Sequence, residues 1–344
     1  MTSRRVILAL SLTAVFFILM VQVPVIHAER SIHVVTVFPS LVEDIRQLLC
    51  SGDTVDYLVP PGVDPHEYQL TTSDLDKLAG ADIVVSTGHT GVEVKIEELA
   101  ASGELKAIVV NIMEIPGLRI TVNPSTGQAN MHMPIYDPLN YMLFVENLTA
   151  VIAGINPSKA DCYREKALEV ISTVTQLAAD NYRRYLGVPA VVDSPGVQYA
   201  VEWMGFKVLR SLQPEHEVEP QPTDLKTVED LMRSGSVKIA FVSSPVTGTP
   251  GRMLVEMAER YRVPVVEVPS PLTLNSTIVK LKLVASRVEE AGIKPETAQE
   301  ACSVSVDYRR EQEVQYALIA AYTIIGFTLG VLASRWASRR GLKR

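Results

Sequence analysis

The run Val59–Pro60–Pro61–Gly62–Val63–Asp64–Pro65–His66–Glu67–Tyr68 presents one imidazole on a stiff loop. Pro60, Pro61 and Pro65 fix φ and cut the loop's conformational freedom, so His66 is held rather than left to wander. Neutral histidine is the commonest metal ligand in proteins. A second imidazole, His89, stands in Thr87–Gly88–His89–Thr90–Gly91. Both histidines follow apolar runs that read as neighbouring strands, so both could reach one cleft. An isolated histidine is more often a surface or core residue; it is the surrounding block that points to metal chemistry here. Other chemistries lack their residues. Gly62, Gly88 and Gly91 are turn glycines without G-x-G-x-x-G spacing. Ser194, Ser243 and Ser244 have no G-x-S-x-G setting for a nucleophile. Met131 and Met133 flank His132, and thioethers suit monovalent copper, although packing is their commoner use. His33 on a strand and His216 between two glutamates read as packing and solvated residues.

Placing those imidazoles requires strands and helices around them. His33–Val34–Val35–Thr36–Val37–Phe38 reads as a buried first strand, followed by a capped helix from Ser40 through Ile45. Val55–Val59 is a second short strand. The segment from Thr72 to Asp82 reads as a capped helix running into the buried strand Ile83–Val84–Val85. A helix around Lys95–Ala101 and a strand at Lys106–Val110 continue the alternation. Strands alternating with helices argue for a parallel sheet covered on both faces. From Pro157 to about Tyr185 no internal proline or glycine interrupts a one-sided apolar pattern. A helix of about 28 residues there is on the order of 42 Å long, enough to run the length of a two-lobed molecule. A second alternating set follows: strands at Ala190–Val192, Phe206–Leu209, Lys238–Val242 and Val265–Val268, with helices after Thr223, over Gly251–Tyr261 and over Ile278–Ala291.

The motifs, taken in order, resemble the zinc/manganese-type substrate-binding proteins of ABC importers. Asp64–Pro65–His66–Glu67–Tyr68 matches that family's D-P-H-x-[YF] loop, and Thr72 to Ile83 its T-x-x-D-x-x-x-L-x-x-A-D-[IV] helix. Gly91–Val92–Glu93 resembles its G-x-x-E segment, and Tyr136–Asp137–Pro138 its aromatic-x-D-P segment. Glu219–Pro220–Gln221–Pro222–Thr223–Asp224–Leu225 resembles the E-P-[ST]-P-x-D-L start of a second-lobe helix. The likeness spans roughly Ile32 to Gly292. It implies an α/β fold of two lobes, each a mostly parallel sheet flanked by helices, joined by one long rigid helix. It also implies a metal held between the lobes by two ligands from each.

Residue by residue, the resemblance makes His66 the first ligand. The second histidine of the family lies four residues before the aspartate of the aromatic-x-D-P segment, whereas His132 lies five before Asp137. One inserted residue beside Pro134 could bulge and still present His132. The third position falls on Ser194 if Tyr199 is the helix aromatic, and the fourth falls near Ser270. Serine is a poor zinc ligand. Three accounts stay open. Asp193, adjacent to the third position, and Glu267, three residues before the fourth, could substitute, with His89 joining from the first lobe. Water could complete a weak site. The cleft could instead take a chelated metal or a small organic solute. The candidate metal ligands are therefore His66, His132, His89, Asp193 and Glu267.

The two ends of the chain carry their own signals. Arg4 and Arg5 precede the apolar run Val6 to Val25, so residues 1–28 read as a signal peptide or N-terminal anchor. No cysteine occurs before Cys50, which excludes a lipid anchor just after such a signal. Val314 to Ala333 is about 20 residues long, enough to span a bilayer. The basic residues Arg335, Arg339, Arg340, Lys343 and Arg344 follow it and place the tail in the cytoplasm. The formal net charge is −7, and nothing in its distribution suggests nucleic-acid binding. Cys50, Cys162 and Cys302 are too few and too dispersed for a disulfide framework or zinc finger; either a Cys162–Cys302 bridge or free thiols are compatible with the spacing.

The expected organisation is an N-terminal lobe over 29–156, a connecting helix over 157–187 and a C-terminal lobe over 188–293. A stalk over 294–313, a transmembrane helix over 314–334 and a cytoplasmic basic tail over 335–344 complete it. The resulting expectation is a monomeric, non-enzymatic receptor at the plasma membrane, with most of the chain extracellular. It would capture Zn²⁺ or Mn²⁺ and deliver it to an ABC permease driven by its ATPase. A surface adhesion or sensory protein with a degenerate site, or a receptor for another small solute or metal chelate, is the alternative.

Overall fold

The computed structural model describes residues 30–215 and 218–294. The expected signal segment, the stalk beyond Lys294, the transmembrane span, the basic tail, Cys302 and His216 lie outside the described residues. Two four-stranded sheets organise the chain. The first contains β1 (His33–Thr36), β2 (Thr54–Tyr57), β3 (Ile83–Ser86) and β4 (Ile108–Asn111) in the order β2-β1-β3-β4. The second contains β5 (Pro189–Val192), β6 (Lys207–Ser211), β7 (Ile239–Ser244) and β8 (Val265–Pro269) in the order β6-β5-β7-β8. Every pairing is parallel. The central strand β3 is buried along its whole length, as expected of a sheet covered by helices on both faces. No sequence repeat announces it, yet the two lobes share one winding.

Each sheet separates two cores. In the first lobe, Val34, Ile83 and Val85 pack with Tyr141, Phe144 and Tyr163 of α4 (Pro138–Ile155) and α5 (Ala160–Asn181). Val35 and Val84 face Leu78 of α2 (Thr72–Ala79) and Val92 and Ile96 of α3 (Gly91–Ala101). The second lobe repeats the plan with α6 (Pro195–Glu202) and α9 (Thr277–Glu290) on one face, and α7 (Pro222–Arg233) and α8 (Thr249–Tyr261) on the other. Helix α4 is long and apolar enough to cross a bilayer, but more than half of it is buried. Its apolarity is explained by the first-lobe core.

Three sequence expectations need correction. The helix from Ser40 does not begin with a capping serine. Pro39–Leu41 forms a 3-10 turn before α1 (Val42–Arg46), neither of them has a side-chain cap, and the Ser40 hydroxyl is buried without a partner. The connecting helix is shorter than 157–187. Pro157–Lys159 is a separate 3-10 turn, and α5 stops at Asn181. Beyond it the backbone N–H groups of Arg183, Tyr185 and Gly187 donate to the carbonyls of Trp203, Met204 and Gly205. Those partners draw the chain off the helical path although no helix breaker precedes Gly187. Finally, Cys162 pairs with Cys50, with Cα atoms 6.4 Å apart. It is therefore not available to Cys302. The bridge ties the start of α5 to the loop between α1 and β2.

Both lobes belong to one compact unit that starts at Ser31, and more than one helix crosses between them. Helix α5 contributes Val170 and Val174 to the first core and Leu177 to the second. Helix α9 begins with Ile278 in the first core and continues with Leu281, Val284 and Val288 in the second. At its N-terminus, buried Asp44 of α1 accepts from the Thr277 N–H at 2.8 Å, the Thr277 hydroxyl at 2.8 Å and the Tyr141 hydroxyl at 2.7 Å. Lys280 of the same helix lies close enough to act on the Asp44 charge and donates to the Pro271 carbonyl at 2.8 Å. Buried polar groups need such partners, and here the partners come from opposite lobes.

Candidate metal site

In both sheets the winding direction changes between the two central strands, which places a cleft beyond their C-terminal ends. His66 reaches that cleft on the loop between β2 and α2. Asp64 accepts from the His66 N–H at 2.9 Å. The far end of the loop is closed by a capping box in which Thr71 and Asp74 satisfy each other's backbone N–H groups. Tyr68 also donates to Asp74 at 2.7 Å. Burial alone would lift the Asp74 carboxyl, but the bonds from Tyr68 and Thr71 outweigh it and hold it below the usual carboxylate range. The motif's tyrosine thus fastens the histidine loop to the helix behind it.

His89 follows β3 on a loop organised by one buried acid. Glu93 of α3 is fully buried and accepts from the Thr87 N–H, the Thr87 hydroxyl at 2.8 Å, the His89 N–H at 3.1 Å and Thr90. Gly88 has φ +77°, and a Cβ there would fall 2.3 Å from Asn111 Oδ1. Only glycine fits that turn. The His89 ring meets the Thr87 hydroxyl through Nδ1 at 3.1 Å.

His132 precedes α4. Between His132 and the 3-10 turn Pro134–Tyr136, Met133 has a left-handed backbone at φ 54°, ψ 57°. Asp137 then caps α4 by accepting from Leu139 and Asn140. Asn130 orients the imidazole: its Oδ1 accepts from the His132 N–H at 3.0 Å and lies 3.1 Å from ring Nδ1. Its amide donates to the Pro195 carbonyl and to Gln198, both at 2.9 Å. The loop bearing His132 is therefore docked on the second lobe.

These three loops bring the imidazoles into contact. His66 and His89 stand 5.6 Å apart between ring centroids, and His89 and His132 stand 5.5 Å apart, both edge to face. Two imidazoles bound to one tetrahedral ion through bonds of about 2.0–2.1 Å would stand roughly 5 Å apart by the same measure. Both pairs are somewhat wider than that. Among the described residues, no three histidine, cysteine or carboxylate side chains are gathered closely enough to hold a metal ion as they stand. All three rings line one small cavity of about 80 Å³, whose second-lobe wall carries Ser194, Ser243 and Ser270.

The two carboxylates singled out from sequence are placed differently. Asp193 lies behind the serines. It accepts from the Ser243 N–H at 2.8 Å, and its Oδ1 lies 3.2 Å from the Ser194 hydroxyl and 3.3 Å from that of Ser243. Burial pushes its carboxyl up to about 6, against the pull of those bonds. Glu267 does not join the imidazoles. It is exposed on β8, where it accepts from Ser244 at 2.7 Å and lies 4.0 Å from Arg287, and it lines neither side of the small cavity. Sequence reasoning missed Glu215, whose Oε2 is 3.8 Å from His132 Nδ1. Asn123 holds its other oxygen at 3.1 Å. It also missed the positioning roles of Thr87 and Asn130. Glu215 sits in a polar loop, and no local pattern distinguishes it from a solvated charge.

The comparisons with known proteins identify the family and the fold. The family model described as zinc-uptake complex component A, periplasmic (ZnuA), matches residues 34–277. The iron-binding protein YfeA of Yersinia pestis is 26% identical over 232 residues, covering 65% of this chain and 73% of its own length. The manganese ABC transporter substrate-binding lipoprotein PsaA of Streptococcus mitis is 24% identical over 224 residues, covering 61% and 72%. The solved periplasmic zinc-binding protein TroA of Treponema pallidum superposes with a TM-score of 0.63 at 18% identity, covering 76% of this chain and 99% of that one. Family members are non-catalytic, so the cleft is a binding site and not an active site. With a family model covering most of the chain, a matching two-lobed fold and imidazoles gathered at its cleft, this protein belongs to the ZnuA family of metal-binding substrate-binding proteins of ABC transporters.

Proposed function

We propose that this chain captures a divalent transition metal, zinc or manganese, between its lobes and delivers it to an ABC permease driven by its ATPase. His66, His89 and His132 are the proposed protein ligands. The observation that carries this reading is the meeting of three imidazoles from three separate loops around one small cavity. The Nδ1 contacts of His89 with Thr87 and of His132 with Asn130 support it, since metal-bound imidazoles use one nitrogen for the ion and the other for an orienting partner. In this reading Nε2 of both rings is the ligating atom. Asp193 acts through the serines it holds, and Glu267 takes no part. Helix α5 serves as the rigid connection, with α9 limiting how far the lobes can separate.

The protein works as a monomer outside the cell, tethered by a membrane helix over 314–334 with its basic tail in the cytoplasm. The lipoprotein relative, which is also tethered, supports an anchored receptor. Calorimetry and metal analysis on the purified full-length chain test the binding step. One zinc or manganese per chain, lost in His66→Ala, His89→Ala and His132→Ala, is the expected result. No binding above background by the unmodified chain would sink the reading.

A further inference from the structure

Beside the imidazole cavity lies a larger one of about 460 Å³. The two share Phe38, Pro65, Ser194, Ser243, Ser270 and Leu272 as walls. A bare ion uses none of that space. Liquid water takes about 30 Å³ per molecule, and pockets of about 300–1,000 Å³ accommodate small organic molecules. The charged residues lining the larger cavity are Asp64 and Asp193, and no lysine, arginine or histidine lines it. An anionic guest would therefore meet only like charge, whereas a cationic one is favoured.

The second-lobe wall is suited to accept hydrogen bonds. Asp193 is 4% exposed and lies within hydrogen-bond distance of the Ser194 and Ser243 hydroxyls. A hydroxyl that donates to a carboxylate turns its lone pairs toward whatever stands in front of it. Gly251 approaches this acid closely, since a Cβ at that position would fall 3.2 Å from Asp193 Oδ2. The lobe that offers no imidazole thus offers two oriented acceptors, Ser194 and Ser243, and ample room. Molecules held by a metal become stronger hydrogen-bond donors, because the cation withdraws electron density from them.

We propose that the cleft takes its metal as a cationic complex that keeps small hydrogen-bond-donor coligands: coordinated water, hydroxyls or amines. Three imidazole nitrogens replace three coligands, which leave as neutral molecules, and the metal keeps its oxidation state. The remaining coligands donate to the oxygens of Ser194, Ser243 and Ser270, and Asp193 balances part of the charge. This rests on the metal-binding reading above and specifies the form in which the metal is bound.

The test loads the purified full-length chain with Zn²⁺ alone, with Zn²⁺–ethylenediamine and with Zn²⁺–citrate. X-ray absorption then counts the ligands, and native mass spectrometry detects retained coligand. Three imidazoles plus non-protein oxygen or nitrogen donors are expected, with citrate excluded. Retained ethylenediamine assigns the donors to an organic coligand, and its loss with the shell still completed by light atoms assigns them to water. Ser243→Ala and Asp193→Asn should each weaken binding by about tenfold with the imidazole count unchanged. A shell completed by a protein carboxylate such as Glu215, or unchanged affinity in both variants, overturns the proposal while leaving metal binding intact. Failure of every form of zinc to bind overturns the metal-binding reading on which it rests.

Discussion

The first lobe winds its strands β2-β1-β3-β4 and the second β6-β5-β7-β8, so the same positions in each face the cleft. After β3 the first lobe presents His89, held by a buried glutamate and a glycine turn. At the equivalent place, the end of β7, the second lobe presents Ser243, held by buried Asp193. One lobe supplies nitrogen donors able to bond a metal, and the other supplies hydroxyls able to bond what surrounds it. A shared winding determines where a ligand sits, while the few residues past the strand ends determine what it is. The covalent support differs as well, since the described disulfide lies wholly within the first lobe and α5.

That asymmetry can be broken in graded steps. The largest effect should come from the staple. Replacing Cys50 and Cys162 together by alanine removes a 112-residue closure and should cost about 4–5 kcal/mol by the chain-entropy estimate. Urea denaturation with hydrogen exchange should show the first lobe loosening before the second. Equal loosening of both lobes would show that the staple protects the whole unit.

Next in size, His89→Ala should reduce zinc affinity by about a hundredfold or more, roughly 3 kcal/mol. Competition calorimetry measures it, and a change under tenfold would remove His89 from the ligand set. The contact between lobes gives a pH signature. Burial raises the Asp44 carboxyl from 3.8 to about 6, outweighing its hydrogen bonds and the Lys280 charge. The folded state then holds that proton more tightly than the unfolded chain, so this group's contribution is fully present below about pH 4 and lost as pH rises through about 6. Lys280, pushed down to about 8 by burial against the pull of Asp44, titrates above this window. Asp193, also raised to about 6, contributes a decline of the same sign. Asp44→Asn should therefore flatten part of the decline between pH 4 and 6, by on the order of 2 kcal/mol. Denaturation midpoints across that range check it.

Smaller still is Asn130→Ala, which removes the partner shared by His132 and the second lobe. Loss of an orienting partner typically costs about 10–100-fold in metal affinity, and the lower end is expected here because Glu215 remains near the ring. Ser270→Ala should change zinc affinity least, by about threefold or less, as removal of one neutral hydroxyl bond implies. A hundredfold loss there would make Ser270 a direct ligand and erase the contrast between the lobes.

Much of the fold was legible before the structure. Every strand was located within a few residues, and the central strands β3 and β7 were plainest, because parallel strands buried on both faces read as continuous apolar runs. Helix α4 was not assigned, since its apolar residues surround most of its circumference and give little one-sided periodicity. The serines at the expected third and fourth positions could be read from motif spacing, and both line the cavity with the imidazoles. Glu215 and Asn130 could not, because they act through residues distant in the chain.

The amino-acid sequence by itself determined the alternation of strand and helix, the stiff proline loop under His66, the Gly88 turn and the absence of nitrogen donors at Ser194 and Ser270. These follow from local rules: ring-fixed φ, missing Cβ atoms, apolar periodicity and side-chain chemistry. Only the tertiary structure decided that Cys50 meets Cys162, that α5 ends at Asn181, that Asp193 turns behind its serines and that Glu267 faces away. Each of these depends on which groups compete for a partner once distant segments are packed together, and that competition has no signature in any one segment read alone.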